Sequence, residues 1–255
     1  MDRQRVRPKK SLGQHFLKDE NIARKIIGCI SDKSKNILEI GPGTGMLTKY
    51  LLQDDKLQPK FIETDAQSVA FLQENYPEIK EKVIKDDFLK TDLKDFFEND
   101  FTIIGNFPYN ISSQIFFKVL ENRHLVDEVV CMIQKEVAER ISTGPGSKTY
   151  GILSVLLQAY YRIDYCFTVS EKVFVPPPRV KSAVIRLKRN NVHLECDEEL
   201  FFKIVKTAFN QRRKTLRNSL KRISGDKTLN DDIFNKRPEQ LGVDEFVGLT
   251  NLMDA

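Results

Sequence analysis

Ile22, Ile26, Ile27 and Ile30 recur at helical spacing, which predicts an amphipathic helix over residues 19–30. Short apolar runs follow at 36–40, 60–63, 82–85, 101–104, 128–134, 165–169 and 183–188. Each is too brief for a helix and is bounded by polar or glycine-rich turns, so each reads as a buried strand. Helical stretches alternate with them at 44–52, 111–121, 135–140 and 152–161. Repeated strand–helix alternation predicts an α/β fold with a mostly parallel, doubly wound sheet. Such sheets carry their chemistry at the carboxyl ends of the strands. Residues 190–199 are polar and irregular. Beyond them Val205, Ala208, Phe209, Leu216, Leu220 and Ile223 mark one helix, and shorter helices follow. The expected organisation is therefore an α/β domain over residues 1–189 and a small all-α domain over 190–255.

The strand ends hold the candidate chemistry. The first apolar strand runs into Glu39-Ile-Gly41-Pro-Gly43-Thr-Gly45, a turn that opens a helix. Glycines there let the backbone approach a ligand closely. A dinucleotide fingerprint needs glycine where Met46 stands, which disfavours a nicotinamide-dependent dehydrogenase. S-adenosylmethionine, whose amino-acid portion lies against such a loop, is the nearer match. The next strand ends at Glu63, placed to accept both ribose hydroxyls, with Asp65 a competitor for that role. The third ends in Asp86-Asp87-Phe88, and either carboxylate suits the exocyclic amine of a cofactor adenine; Asp87 is preferred.

The fourth strand ends in Asn106-Phe107-Pro108-Tyr109. An amide oxygen, a fixed backbone carbonyl and an aromatic face suit a planar base bearing an exocyclic amine. An Asn- and Pro-rich turn is the plain alternative. Later, Phe174 precedes a triple proline and Ser182. That run is either a rigid linker or a stiff arm presenting Phe174 as a second stacking surface. His15 has no Ser, Cys or carboxylate partner in a triad pattern, so packing or a ligand hydrogen bond is expected of it.

Charge adds a polyanion. The net charge is only +5, but residues 203–222 carry eight Lys and Arg, including Arg212, Arg213, Lys214, Arg217, Lys221 and Arg222, and no acid. Arg3, Arg5, Arg7, Lys9 and Lys10 form a second block. Two such blocks suit nucleic acid better than a merely solvated face. The four cysteines are widely spaced, which excludes a zinc site of familiar spacing and suits a reducing cytoplasm. No window is apolar over the roughly 18 residues that a membrane span needs, and the basic N-terminus has no apolar run behind it to make a secretory signal.

The blocks SLGQHFL, EIGPGTG, FIETD, NFPYNISS, QKEVAERI, VFVPPPRVKSAVIRL and TAFNQRRKTLRNSL run nearly end to end. In them the chain resembles the small-subunit ribosomal RNA adenine dimethyltransferases, the KsgA family. The last block separates it from the related methylases of large-subunit rRNA. The resemblance implies a Rossmann-like methyltransferase core and an α-helical C-terminal domain. It also implies transfer of methyl groups from S-adenosylmethionine to N6 of two adjacent adenosines near the 3′ end of 16S rRNA, in an immature 30S-type subunit. Nothing in the sequence suggests an obligate interface, so a monomer is expected. Carried over by motif, the cofactor contacts are His15, Leu17, Gly41, Gly43, Glu63, Asp87 and Asn106, with His15 standing where Asn is common. The catalytic set is Asn106, Pro108, Tyr109 and Phe174. No metal is expected. An assembly factor that acts by binding alone, or a DNA adenine methylase, are the competing readings.

Overall fold

The computed structural model describes residues 6–225 and 230–254. Among the described residues nine strands form: β1 (Phe16–Leu17), β2 (Asn36–Ile40), β3 (Gln58–Ile62), β4 (Val83–Ile84), β5 (Phe101–Asn106), β6 (Val126–Gln134), β7 (Tyr161–Val169), β8 (Phe174–Val175) and β9 (Ser182–Arg189). Seven of them make one sheet in the order β4-β3-β2-β5-β6-β9-β7. β4, β3, β2, β5 and β6 are mutually parallel, and β9 joins β6 antiparallel. The chain builds outward from β2 to β3 and β4, then returns to place β5 on the other side of β2. That reversal is the switch point of a doubly wound sheet, where the carboxyl ends of β2 and β5 diverge and leave a crevice. The mostly parallel α/β architecture expected from the alternation is the one observed.

Local chemistry accounts for the element ends. Asp19 caps the helix Glu20–Ile27, its carboxylate accepting from the N–H groups of Asn21 (2.9 Å) and Ile22 (3.0 Å). Gly28 ends that helix short of the expected Ile30. Pro59 lies in β3 outside the stretch that pairs with β4, whose partners are Phe61 and Ile62, so its missing N–H leaves no gap on that side. β1 and β8 pair antiparallel as a separate ribbon, Phe16 opposite Val175 and Leu17 opposite Phe174.

Two compact units emerge: residues 1–138 with 164–189, and residues 139–163 with 190–255. The boundary expected after residue 189 marks the chain's final exit from the first unit. The excursion of 139–163 into the second unit was not expected. Within that unit, the helix Ile152–Tyr160 buries Leu153, Val155, Leu156 and Leu157. The helices Glu198–Asn210 and Val243–Asp254 bury Phe201, Ile204, Phe246 and Leu249. The single long helix expected through residue 223 is broken. Residues 211–214 turn, with the Lys214 N–H on the Gln211 carbonyl (2.8 Å). Thr215 is extended, and short helices at Leu216–Ser219 and Lys221–Ser224 follow.

Candidate active site

A cavity of about 300 Å³ opens at the switch point, bordered by residues 11–16, the β2 and β3 ends, the Asp87 turn and residues 106–111. It lies entirely within the first unit. Gly41, Gly43, Glu63, Asp87, Asn106, Pro108, Tyr109 and His15 all line it, so sites spread over nearly a hundred positions of sequence converge as predicted.

The glycine turn owes its shape to left-handed backbone. Gly41 has φ +64°, and a Cβ there would meet no protein atom within 4 Å. The room beside it belongs to the cavity, so a ligand there could lie directly against the backbone. At Gly43 (φ +58°) a Cβ would stand 2.8 Å from the Phe16 ring, so the turn and the 11–16 segment fit only with glycine there.

The acids sort themselves by their partners. Glu63 is 6% exposed; its oxygens accept from the Gly43 N–H (3.0 Å) and the Asp65 N–H (2.8 Å), leaving lone pairs toward the cavity. Burial pushes its carboxyl above the usual range, and those backbone bonds pull it back. Asp65 is spent elsewhere: it caps the helix Ala66–Asn75 through the Gln67 N–H (3.1 Å) and pairs with Lys9 (2.5 Å). Lys9 is thus an anchor for the N-terminal segment, not an open phosphate ligand; Arg3 and Arg5 lie outside the described residues. Asp86 turns to the Thr91 hydroxyl (3.0 Å), whereas Asp87 faces the cavity.

Asn106 is fixed by one bond. Its Nδ2 donates to the His15 carbonyl (2.8 Å). A carbonyl only accepts, so the amide orientation is determined and Oδ1 is the atom left to accept from a ligand. The Pro108 carbonyl accepts from the Ile111 N–H (3.2 Å) and keeps a second lone pair. The Tyr109 hydroxyl bonds Ser182 Oγ (2.5 Å), and its ring stacks on His15 at 5.6 Å and 28°. Burial raises the Tyr109 hydroxyl above its ordinary range, so it stays protonated at neutral pH. His15 is held in turn by Nδ1 on the Pro176 carbonyl (2.8 Å). The proline run thus supports His15, and through it Tyr109.

Two expectations fail. Phe174 is 1% exposed and packs in the core with Leu17; it does not line the cavity. In the two-residue strand β8 it points inward while Val175 points out. The stacking neighbour of Tyr109 is His15. Leu17 is likewise a core residue, and Phe16 takes the cavity position beside it. Sequence reasoning also missed Gln14, Asn110 and the supporting Ser182. Asn110 directly follows Tyr109, and its Oδ1 would stand 2.6 Å from a Cβ on Gly13.

In the second unit, Arg213, Lys214, Arg217, Lys221 and Arg222 are exposed. Arg212 is not open to a ligand in the same way. Its Nη2 donates to the Ser147 carbonyl (3.1 Å), and its Nε lies 3.8 Å from a Glu239 carboxylate oxygen.

Comparison with known sequences decides the family. The profile described as "Ribosomal RNA adenine dimethylase" matches residues 5–244. The chain belongs to the ribosomal RNA adenine dimethylase family. It is therefore a methyltransferase acting on ribosomal RNA adenine, with S-adenosylmethionine as methyl donor. Among its relatives is the "Ribosomal RNA small subunit methyltransferase A" of Bacteroides thetaiotaomicron, 58% identical over 254 residues, covering 98% of this chain and 95% of the relative. The protein of the same name from Cytophaga hutchinsonii is 55% identical and covers 98% of both chains. Among solved structures, a dimethyladenosine transferase from Plasmodium falciparum aligns at TM-score 0.77 and 25% identity over 94% of this chain and 98% of that one. The 23S rRNA methyltransferase ErmE shares the fold at TM-score 0.67 and 24% identity, over 94% of this chain and all of that one (100%). Among the described residues, no helix is long and apolar enough to cross a membrane.

Proposed function

We propose that the chain dimethylates N6 of two adjacent adenosines near the 3′ end of small-subunit rRNA, and that Asn106 is the residue that holds the amine. The observation that carries this is the fixed amide, with Nδ2 committed to the His15 carbonyl and Oδ1 left as an acceptor on the cavity wall. The cradle at Gly41 and the acceptor set of Glu63 and Asp87 fit S-adenosylmethionine, with Glu63 for the ribose hydroxyls and Asp87 for the adenine amine. Bound there, the cofactor supplies an electrophilic methyl group.

Everything else falls to the protein. The N6 lone pair of adenine is delocalised into the ring and is a weak nucleophile. The target base is flipped from its stack and lies against Tyr109, where aromatic stacking stabilises a base by about 1–3 kcal/mol. Asn106 Oδ1 and the Pro108 carbonyl accept the two N6 hydrogens and draw the nitrogen toward a pyramidal shape. Orientation and preorganised acceptors carry the rate, and no general base is needed. The monomethylated amine still has one hydrogen for one of the two acceptors, so a second transfer fits the same clamp.

The exposed basic residues of the second unit bind rRNA phosphates. The substrate is an immature 30S-type subunit in the cytoplasm, and the enzyme acts as a monomer. Incubation with tritiated S-adenosylmethionine and immature small subunits, naked rRNA or DNA, followed by base analysis, tests the reading. Label is expected as N6,N6-dimethyladenine in small-subunit rRNA. With Asn106→Ala, turnover at saturating cofactor falls by about 100-fold or more. Label on DNA, or near-normal turnover by that variant, would refute the proposal.

A further inference from the structure

Two of the four cysteines meet, although nothing in their spacing announces it. Cys29 lies just beyond the helix Glu20–Ile27, and Cys166 lies in β7; both belong to the first unit. Both are half-buried against the same apolar cluster, where the Cys29 thiol donates to the Lys25 carbonyl (3.3 Å), the Cys166 thiol faces the Asp164 carbonyl (3.7 Å), and the two thiols are close enough to act on each other. Flanking contacts hold the pair together. From β9, Arg186 Nη1 donates to the Cys29 carbonyl (3.4 Å), while its Nε and Nη2 grip the Asp164 carboxylate (3.1 and 2.8 Å). One guanidinium therefore clasps both segments, and the Lys25 ammonium adds a contact over the Phe167 ring at 6.0 Å.

The charges around the pair favour one thiolate. The neighbouring Cys166 thiol, and then Arg186, bring the Cys29 thiol down to about 7, against burial and Glu128. Cys166 is driven upward by the same sulfur contact, by burial and by Asp164. Cys29 thus supplies a nucleophilic sulfur near neutral pH, with a protonated thiol beside it.

We propose that Cys29 and Cys166 are a redox modification site, closed to a reversible disulfide by a hydroperoxide. The Cys29 thiolate attacks the peroxide, the O–O bond breaks, and the departing oxygen takes a proton, leaving a sulfenic acid on Cys29. Cys166 sulfur then attacks Cys29 sulfur. The S–O bond breaks and the hydroxyl leaves as water with the Cys166 proton. With hydrogen peroxide the balance is two thiols oxidised by two electrons and two waters formed; a dithiol reverses it. The crosslink ties the helix that follows β1 to the strand that precedes β8. It therefore braces the ribbon that carries His15 and the proline run.

The test uses the full chain, reduced, freed of reductant and treated with hydrogen peroxide. It is then alkylated with N-ethylmaleimide in denaturant, digested and read by mass spectrometry. Peptides bearing Cys29 and Cys166 should appear joined, lighter by two hydrogens, and separate again with dithiothreitol, while Cys131 and Cys196 are alkylated. Cys166→Ser should stop at a sulfenic acid on Cys29 that dimedone captures, and Cys29→Ser should give neither product. Without oxidant, limiting maleimide near neutral pH should modify Cys29 more than about tenfold faster than Cys196. Full alkylation of Cys29 and Cys166 after peroxide would overturn the proposal. So would over-oxidation of Cys29 with no linked peptide, or a linkage through Cys131 or Cys196. The wild-type readings suffice even if a serine variant folds poorly.

Discussion

Burial gives the two strand-end glutamates different characters. Glu39 is 1% exposed; burial pushes its carboxyl up to about 8, against the Thr48 hydroxyl (2.7 Å) and the Thr48 backbone N–H. The folded protein thus holds a proton on Glu39 that the unfolded chain releases in the ordinary carboxylate range. Stability must therefore fall as pH rises from that range to about 8. Glu39→Gln keeps an acceptor for Thr48 and removes the titration, so its urea midpoint should lack that slope when both proteins are unfolded between about pH 5 and 8. At Glu63 two backbone N–H groups oppose the upward push of burial. Replacing its carboxyl by an amide in Glu63→Gln should weaken S-adenosylmethionine binding by about 10- to 100-fold in calorimetry. Gly41, Glu63, Asp87 and Asn106 were legible in sequence because each ends a strand. Leu17 and Phe174 were not, because in a two-residue strand a single step of parity decides core or cavity, and no alternation is long enough to reveal it. Phe174→Ala should accordingly lower unfolding stability by about 3–5 kcal/mol.

At the scale of elements, the crevice depends on how closely β2 and β5 run together before they part. A Cβ on Gly105 would stand 2.6 Å from the Ile40 carbonyl oxygen and 3.1 Å from the Phe107 ring. Gly105→Ala forces the strand ends apart at the point where cofactor loop and clamp diverge. It should lower stability by about 1–3 kcal/mol and weaken cofactor binding as well, measured by denaturation and calorimetry on the same preparation. The main strands were legible to within a few residues, since their apolar runs are short and punctuated. The basic segment was not. Leu216, Leu220 and Ile223 continue a helical rhythm in phase across a turn at 211–214 that contains neither glycine nor proline. The excursion of 139–163 was invisible for a different reason: its apolar helix would suit either unit equally well.

At the scale of the molecule, a nearly balanced chain keeps a strong local positive field on its second unit. Each phosphate contact made by such a surface adds roughly one to the steepness with which log affinity falls with log salt. The double variant Arg213→Glu, Lys214→Glu should therefore bind rRNA more weakly and with a shallower salt dependence. Filter binding across a salt series checks both, and S-adenosylmethionine affinity should be unchanged. The split second unit also has a consequence for the order in which the protein is made. Residues 139–163 leave the translating ribosome before these packing partners exist, because the helices Glu198–Asn210 and Val243–Asp254 are translated later. Until then Leu153, Val155, Leu156 and Leu157 lack those two helices to bury against. A nascent chain arrested after residue 189 would display that greasy helix, and should be a better chaperone client than either a shorter or a finished one.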